Sequence, residues 1–418
     1  MSKPLQAPRH KSPLDRSRQV ILPPHARSRK AHHLTQAAAE GRFALLQCCE
    51  CKTFVAPAHE CCPSCLSGDF TLQDAATGGT VLSLTTAEVP FLNYFRERGP
   101  WRVALIKLEC GPTVLAHAHF ACVEEGKVRM SLKLDKAGQA VFYAAPEGSE
   151  QTYLEDPQWR ELIADPLHRR ILITDGRNPV TAHLVKALLA AGARKIFVGV
   201  PDIWKPFPLA NELAQHDKVD IVPLDLRSER SVFDLSRTHA ARTEILINTA
   251  DHIRPGGYLD PGQLSHAADS MDVVAMGLMR LATHFGPVMA SRGADGDVGA
   301  VAWVNLLSIY AQTPATVFAG YSMAHAAALN LSYSLRAELR RGGIRVMNVF
   351  SGATDSEWVQ TMPQPRVSGS VLSRAILDGL KRGLEDLHVG PVAQDIQERL
   401  RSNPKATEYE IAATKPGV

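Results

Sequence analysis

Six of the eight cysteines of this 418-residue chain crowd between Cys48 and Cys65, in the strings CCEC and CCPSC. Two CxxC pairs stand out, Cys48 with Cys51 and Cys62 with Cys65. Each CxxC turn aims two thiolates at one point, and two turns complete the closed tetrahedron that zinc prefers. Iron in the same geometry and an empty redox pair are the competing readings. A disulfide framework is excluded, because its cysteines would be scattered to close longer loops and would need an export signal. Cys49 and Cys61 are spare neighbours of the ligand set. Four protein ligands leave no position for a substrate water, so the expected Zn2+ is structural.

These ligands need a scaffold, and the pattern along the chain supplies several. Residues 34–43 predict a short helix stopped at Gly41, leading into the first knuckle. Short β-runs follow at Gly79–Thr86, Trp101–Leu108, Thr113–His119, Lys127–Leu134 and Ala140–Tyr143, separated by glycine-rich or polar turns. Five such strands in so short a span predict a small barrel of the OB type. Its strands lack a dense interleaving of Lys and Arg with exposed aromatics, so nucleic acid is not the expected partner.

Beyond Pro146 the pattern alternates. Strands are expected at Arg170–Thr174, Lys195–Val200, Asp220–Leu224, Glu244–Asn248, Ala300–Asn305 and Ile344–Val349. Helices are expected at Pro179–Ala191, near 265–290 and at Tyr321–Arg341. Apolar strands alternating with amphipathic helices predict a parallel sheet covered on both faces, an α/β doubly wound, Rossmann-type domain. The expected organisation is a basic, disordered tail at 1–33, the helix and zinc ribbon at 34–67 and the barrel at 68–146. A linker at 147–167, the α/β domain at 168–405 and a C-terminal tail at 406–418 complete it.

Composition bounds the remainder. With 45% hydrophobic and 21% charged residues the chain can bury two to three domain cores, which excludes disorder and collagen as its main class. The longest apolar stretch, Val273 to Ala290, is interrupted by Arg280, His284 and Pro287, so no membrane span is expected. Residues 1–33 carry eight basic side chains against Asp15 alone, within a net charge of +3. That composition reads first as a solubilising arm, and alternatively as a contact for RNA, an anionic membrane or an acidic partner surface. No signal-peptide core opens the sequence, and cytoplasm is the expected compartment.

Two families are resembled. Residues 34–146 resemble the acyl-CoA-associated OB-fold proteins with a rubredoxin-like zinc ribbon, through AAAEGRF, the paired CxxC, GGTVLSLTTAEVP and GPWRVALIKLECGPTVLAHAH. That resemblance implies an accessory subunit beside a thiolase-like or aldolase-like enzyme acting on a CoA thioester. Residues 168–405 look like a short-chain dehydrogenase/reductase: Ser308 precedes Tyr321 by thirteen residues, and Gly320–Ala328 would open the active-site helix. The resemblance assigns catalysis to Ser308, Tyr321 and position 325, where His325 replaces the family's lysine. It assigns NAD(P) binding to Thr174, Gly176, Asp225 and Asn248.

The departures fall at the chemistry. Asp175, Pro179 and Thr181 occupy the three glycine positions of the dinucleotide turn, and Asn248-Thr-Ala-Asp251 replaces Asn-Asn-Ala-Gly. The family's helix-borne catalytic Asn falls near Val274, and Val200-Pro201 stands where an Arg often meets the 2′-phosphate. An acid and a missing N–H oppose phosphate binding. Asn178-Pro179 nonetheless makes a good helix start. The expectation is a largely non-catalytic component that assembles as a homo- or hetero-oligomer, in one arrangement with an active dehydrogenase subunit. The alternative is an active NAD(P)-dependent reductase of a 3-oxoacyl-CoA or 3-hydroxyacyl-CoA.

Overall fold

The computed structural model describes residues 20–354 and 365–413, apart from 206, 208, 209, 211, 212, 214 and 215. Most of the expected basic tail, residues 1–19, therefore lies outside the described residues, as do 414–418. The chain divides into two compact units. The first is Ile21–Asp165 with Arg382–Leu384; the second is Pro166–Lys381 with the residues from Glu385 on.

In the first unit, α1 (His33–Glu40) ends at Gly41, whose φ of 71° supplies the left-handed cap that a residue with a Cβ would resist. Three antiparallel strands follow in the order β2-β1-β3: β1 (Ala44–Cys48), β2 (Phe54–Val55) and β3 (Phe70–Asp74). A closed five-stranded barrel comes next, built from β4 (Gly78–Ala87), β5 (Trp101–Leu108), β6 (Thr113–Ala118), β7 (Lys127–Leu134) and β8 (Ala140–Pro146). Its order is β4-β5-β6-β8-β7. Alternation positions the core: Ala104, Ile106 and Leu108 of β5 point inward while Leu105 and Lys107 point out. A register shift between Val81 and Ser83 breaks the regular pairing of β4 with β5, as bulges do where a sheet bends to close. The short helix α2 (Asn93–Glu97) lies between β4 and β5.

The segment expected as a linker is folded. A 3-10 turn at Glu150–Glu155 and the helix α3 (Pro157–Glu161) bury Trp159, Leu162 and Ile163 against Tyr143 and Ala145 of β8. Asp156 caps α3 and accepts the Tyr143 hydroxyl at 2.7 Å. The Gln158 amide accepts from Arg102 N at 2.6 Å and donates to Arg102 O at 2.9 Å, pairing with β5 as a strand would. Its aromatic residues make 147–165 part of the barrel's packing.

The second unit holds a seven-stranded, all-parallel sheet in the order β11-β10-β9-β12-β13-β14-β15. Its strands are β9 (Arg170–Ile173), β10 (Lys195–Val200), β11 (Val219–Pro223), β12 (Ile245–Asn248), β13 (Ala302–Ser308), β14 (Arg345–Ser351) and β15 (Asp386–Val389). The strand order reverses between β9 and β12, the crevice where doubly wound folds place ligands. The helices are α4 (Pro179–Ala190), α5 (Glu229–His239), α6 (Gln263–Ser291), α7 (Ala319–Arg340), α8 (Gly369–Arg382), α9 (Pro391–Ser402) and α10 (Pro404–Ala413). Residues 406–413, expected as a tail, thus belong to a helix. By length and composition α6 is long and apolar enough to cross a membrane. Its Val274, Leu278, Leu281, Phe285 and Met289 are buried in this unit's core, which accounts for that apolarity.

Candidate functional site

The cysteine cluster is built from two loops with the same hydrogen bonding. In the first, Lys52 N donates to Cys48 O at 3.1 Å and Cys48 N to Thr53 O at 3.0 Å; in the second, Leu66 N donates to Cys62 O at 2.9 Å and Cys62 N to Ser67 O at 2.8 Å. Lys52 and Leu66, each four residues after the first cysteine of its pair, take the left-handed conformation at φ 57° and 65°. The four sulfurs of Cys48, Cys51, Cys62 and Cys65 lie within 4.8 Å of one another, with Cys48–Cys65 and Cys51–Cys62 at 3.5 Å. Thiolates each 2.3 Å from one ion stand about 3.8 Å apart in a tetrahedron, so the cluster is dimensioned to hold a metal ion. The hydroxyl of Thr53 draws the Cys51 thiol down to about 6; at Cys65 the Ser67 backbone acts downward, but the neighbouring sulfurs and burial push the thiol up to about 12. Cys49 and Cys61 stay outside the cluster.

In the second unit, Ser308 ends β13, and Tyr321 and His325 lie one turn apart near the start of α7. The structure brings them together with Asp251, which follows β12. His325 Nδ1 accepts the backbone N–H of Ser308 at 3.2 Å, and its Nε2 faces Asp251 Oδ1 at 3.4 Å. An Nδ1 that accepts carries no proton, so the imidazole is neutral and Nε2 donates to the carboxylate. Both ring nitrogens are committed, and His325 is buried. Its ring packs edge-on against Tyr321 with centroids 4.3 Å apart. Burial, and next the negative charge of Asp251, push the Tyr321 hydroxyl well above its ordinary value, while the Ser308 hydroxyl acts against them. A cation beside such a tyrosine would lower it. Sequence reading noted Asp251 only as a missing glycine; its pairing with His325, 74 positions away, carries no local signal.

The turn after β9 is closed on itself. Asp175 takes Arg177 N at 2.9 Å and Nε at 3.0 Å on one oxygen, and Arg177 Nη2 at 2.8 Å on the other. Gly176 N donates to Gly199 O at 2.7 Å, and Thr181 Oγ1 to Asp175 O at 2.6 Å. Asn178 caps α4 through Val180 N at 3.0 Å, and Thr181 N donates to Asn178 O. A Cβ on Gly176 would stand 2.9 Å from Val198 and Val200, so close packing on β10 requires this glycine. Thr174 donates to Asn248 Oδ1 at 2.9 Å, joining β9 to β12. Asp225 accepts from Arg227 N in its own loop, and its charge also acts on Arg177. In α6 a π-helical stretch, Met271–Met276, covers the position of the family's catalytic Asn, but its buried side chain there is Val274. Among the described residues, the cleft between Asn178, Asp251, Tyr321 and His325 measures about 20 Å³, room for one water.

Comparison with known proteins matches this architecture. Residues 169–366 fit the family model of the short chain dehydrogenases, and residues 72–136 fit that of the ChsH2 C-terminal OB-fold domain. The chain is 32% identical over 151 residues to short-chain dehydrogenase PC-15 of Penicillium crustosum, covering 35% of this chain and 52% of that protein. It is 28% identical over 193 residues to sulfoacetaldehyde reductase 2 of Chromohalobacter salexigens, covering 44% of this chain and 70% of that one. The chain thus spans about half the length of the Penicillium relative. A crystal structure of a short chain dehydrogenase from Burkholderia cenocepacia in complex with NADP aligns over 60% of this chain and 100% of its own, at 26% identity and a TM-score of 0.54. The chain is a fusion of an OB-fold domain of the ChsH2 C-terminal type with a short-chain dehydrogenase domain.

Proposed function

We propose that this protein is an accessory, non-catalytic component of an assembly acting on CoA thioesters. In this reading the first unit docks a thiolase-like or aldolase-like partner in the cytoplasm, and the second serves assembly, including pairing with an active dehydrogenase subunit. The observation that carries it is the internal commitment of the dinucleotide turn and of His325. Phosphates are bound by free N–H groups and a ready positive charge. Here the N–H groups of Gly176, Arg177, Val180 and Thr181 all donate within the protein, and Arg177 is held by Asp175. As folded, these turn residues do not fit a pyrophosphate. His325 has no donor left for a ribose hydroxyl, where the family's lysine would supply one. The four-cysteine cluster, holding Zn2+, would fix the ribbon without taking part in chemistry.

A second reading, an active NAD(P)-dependent reductase of a 3-oxoacyl-CoA or 3-hydroxyacyl-CoA, draws on Ser308 and Tyr321 remaining adjacent and on the NADP-bound relative. Titration with NADH and NADPH, followed by nicotinamide fluorescence or heat, separates the two. Absence of binding at about millimolar concentration supports the accessory role. Micromolar binding, with turnover abolished by Tyr321→Phe, replaces it with the reductase.

A further inference from the structure

The barrel unit contains a cavity that neither the metal cluster nor the second unit uses. It measures about 290 Å³, roughly twice the ~150 Å³ that accepts benzene and near the lower end of ordinary ligand sites. Its wall is aromatic: Trp101 meets Phe95 (centroids 4.9 Å apart, 63°) and His117 (5.2 Å, 85°), which are themselves 6.3 Å apart, with Phe142 also lining the space. Two carboxylates border it and both are already answered. Glu161 is held by Tyr94, Arg98 and Lys136, and Asp135 accepts the N–H groups of Ala137 and Gln139 at 2.9 Å.

His117 differs. Its Nδ1 accepts the indole N–H of Trp101 at 2.9 Å, which places the ring proton on Nε2. Nε2 has no protein acceptor among the described residues, and the ring lines the cavity. Burial, with the positive charge of Arg27 adding to it, pushes His117 down to about 4, so the ring stays neutral at physiological pH. The cavity therefore offers aromatic surface, aliphatic Val103 and Val141 and the uncharged donor of His117, with the Arg27 guanidinium also in its lining.

We propose that the barrel unit binds an uncharged aryl or branched-alkyl carbonyl compound, whose oxygen accepts the Nε2–H of His117 and whose hydrocarbon body fills the space between Phe95, Trp101 and Phe142. The proposal goes beyond the accessory role and does not rest on it, because every residue it needs lies in Ile21–Asp165.

The test uses the full chain and 4-phenylbutan-2-one as the probe, read by calorimetry and by the indole N–H resonance of Trp101, assigned by its loss in Trp101→Phe. Saturable binding tighter than about 1 mM is expected, with a shift of the Trp101 resonance. Val103→Phe, which fills the cavity from a partly exposed wall position, should abolish it. His117→Leu should weaken it by roughly threefold to tenfold, the worth of one hydrogen bond. His117→Gln, which can accept from Trp101 and still donate, should restore it. No saturable binding by the native chain overturns the proposal, as does binding unchanged in folded Val103→Phe. Equal affinity in native chain and His117→Leu overturns the donor assignment, and Val103→Phe decides the site if His117→Leu fails to fold.

Discussion

Glu161 tests how the segment after the barrel is held. Its Oε2 accepts from Lys136 Nζ at 2.7 Å, Tyr94 OH at 2.9 Å and Arg98 Nε at 3.0 Å. Burial alone would raise its pKa; the charges of Lys136 and Arg98 outweigh that and bring it from 4.5 to about 2. At about 1.36 kcal/mol per unit, the ionised carboxylate favours the folded first unit over a neutral one by roughly 3 kcal/mol. Glu161→Gln keeps the shape and removes the charge. At neutral pH it should lose most of that stabilisation, and amide exchange in β5 and β8 should accelerate by roughly two powers of ten. Mass spectrometry of exchanged peptides reads this on the full chain, with the β9–β15 sheet as internal control.

The sign of the pH dependence follows from the direction of the shift. A depressed carboxylate stabilises fully above its unfolded value and loses its contribution as the pH falls through the folded one. The gap in melting temperature between native chain and Glu161→Gln should therefore be constant above about pH 5 and close between about pH 4.5 and pH 2. An acceleration below about threefold at neutral pH would refute the reasoning, because it would leave Arg98 and Lys136 contributing less than a surface pair. A gap undiminished at about pH 2 would refute it equally.

Two further outcomes are expected. Metal analysis under reducing conditions should give about one equivalent of zinc per chain, lost in Cys48→Ser and retained in Cys49→Ser and Cys61→Ser; loss in either of the latter would contradict the observed cluster. Asp175→Gly should raise NADPH affinity by about tenfold or more, because it frees both the guanidinium and the N–H of Arg177. Calorimetry checks this, and an unchanged affinity would mean that Pro179 and Thr181 alone close the turn.

The sequence disclosed what is local. Alternation in Trp101–Leu108 and Lys127–Leu134, both observed with those bounds, reflects one buried face per strand and needs no tertiary knowledge. The paired CxxC and the Asn178-Pro179 helix start are similarly short-range. What escaped is either polar or distant. Helix α5 buries only Val232, Leu235 and Ser236 among charged neighbours, and it is absent from the elements expected from the sequence. Segment 147–165 is acidic and proline-containing, yet Gln158 pairs with a backbone 56 residues away. Asp175 looked like a bare charge facing a phosphate, whereas Arg177, two residues on, neutralises it. Side-chain pairing depends on orientation, which spacing alone does not encode.

The replaced positions of the second unit answer one another. An eroding site would leave buried polar groups without partners, at about 1–3 kcal/mol each. Here Asp175 is closed by Arg177, and the hydroxyl of Thr181, where the family carries glycine, donates to Asp175 O. Asp251, in another glycine position, meets His325, which stands for the lysine. Asn178 caps α4 and donates to Thr249 O at 2.9 Å, bridging the ends of β9 and β12 across the crevice. A reductase that binds its dinucleotide gains stability from it by mass action. A turn whose N–H groups at Gly176, Arg177, Val180 and Thr181 are bonded internally does not depend on that gain. The substitutions form one internally bonded arrangement, which is what the proposed accessory role calls for.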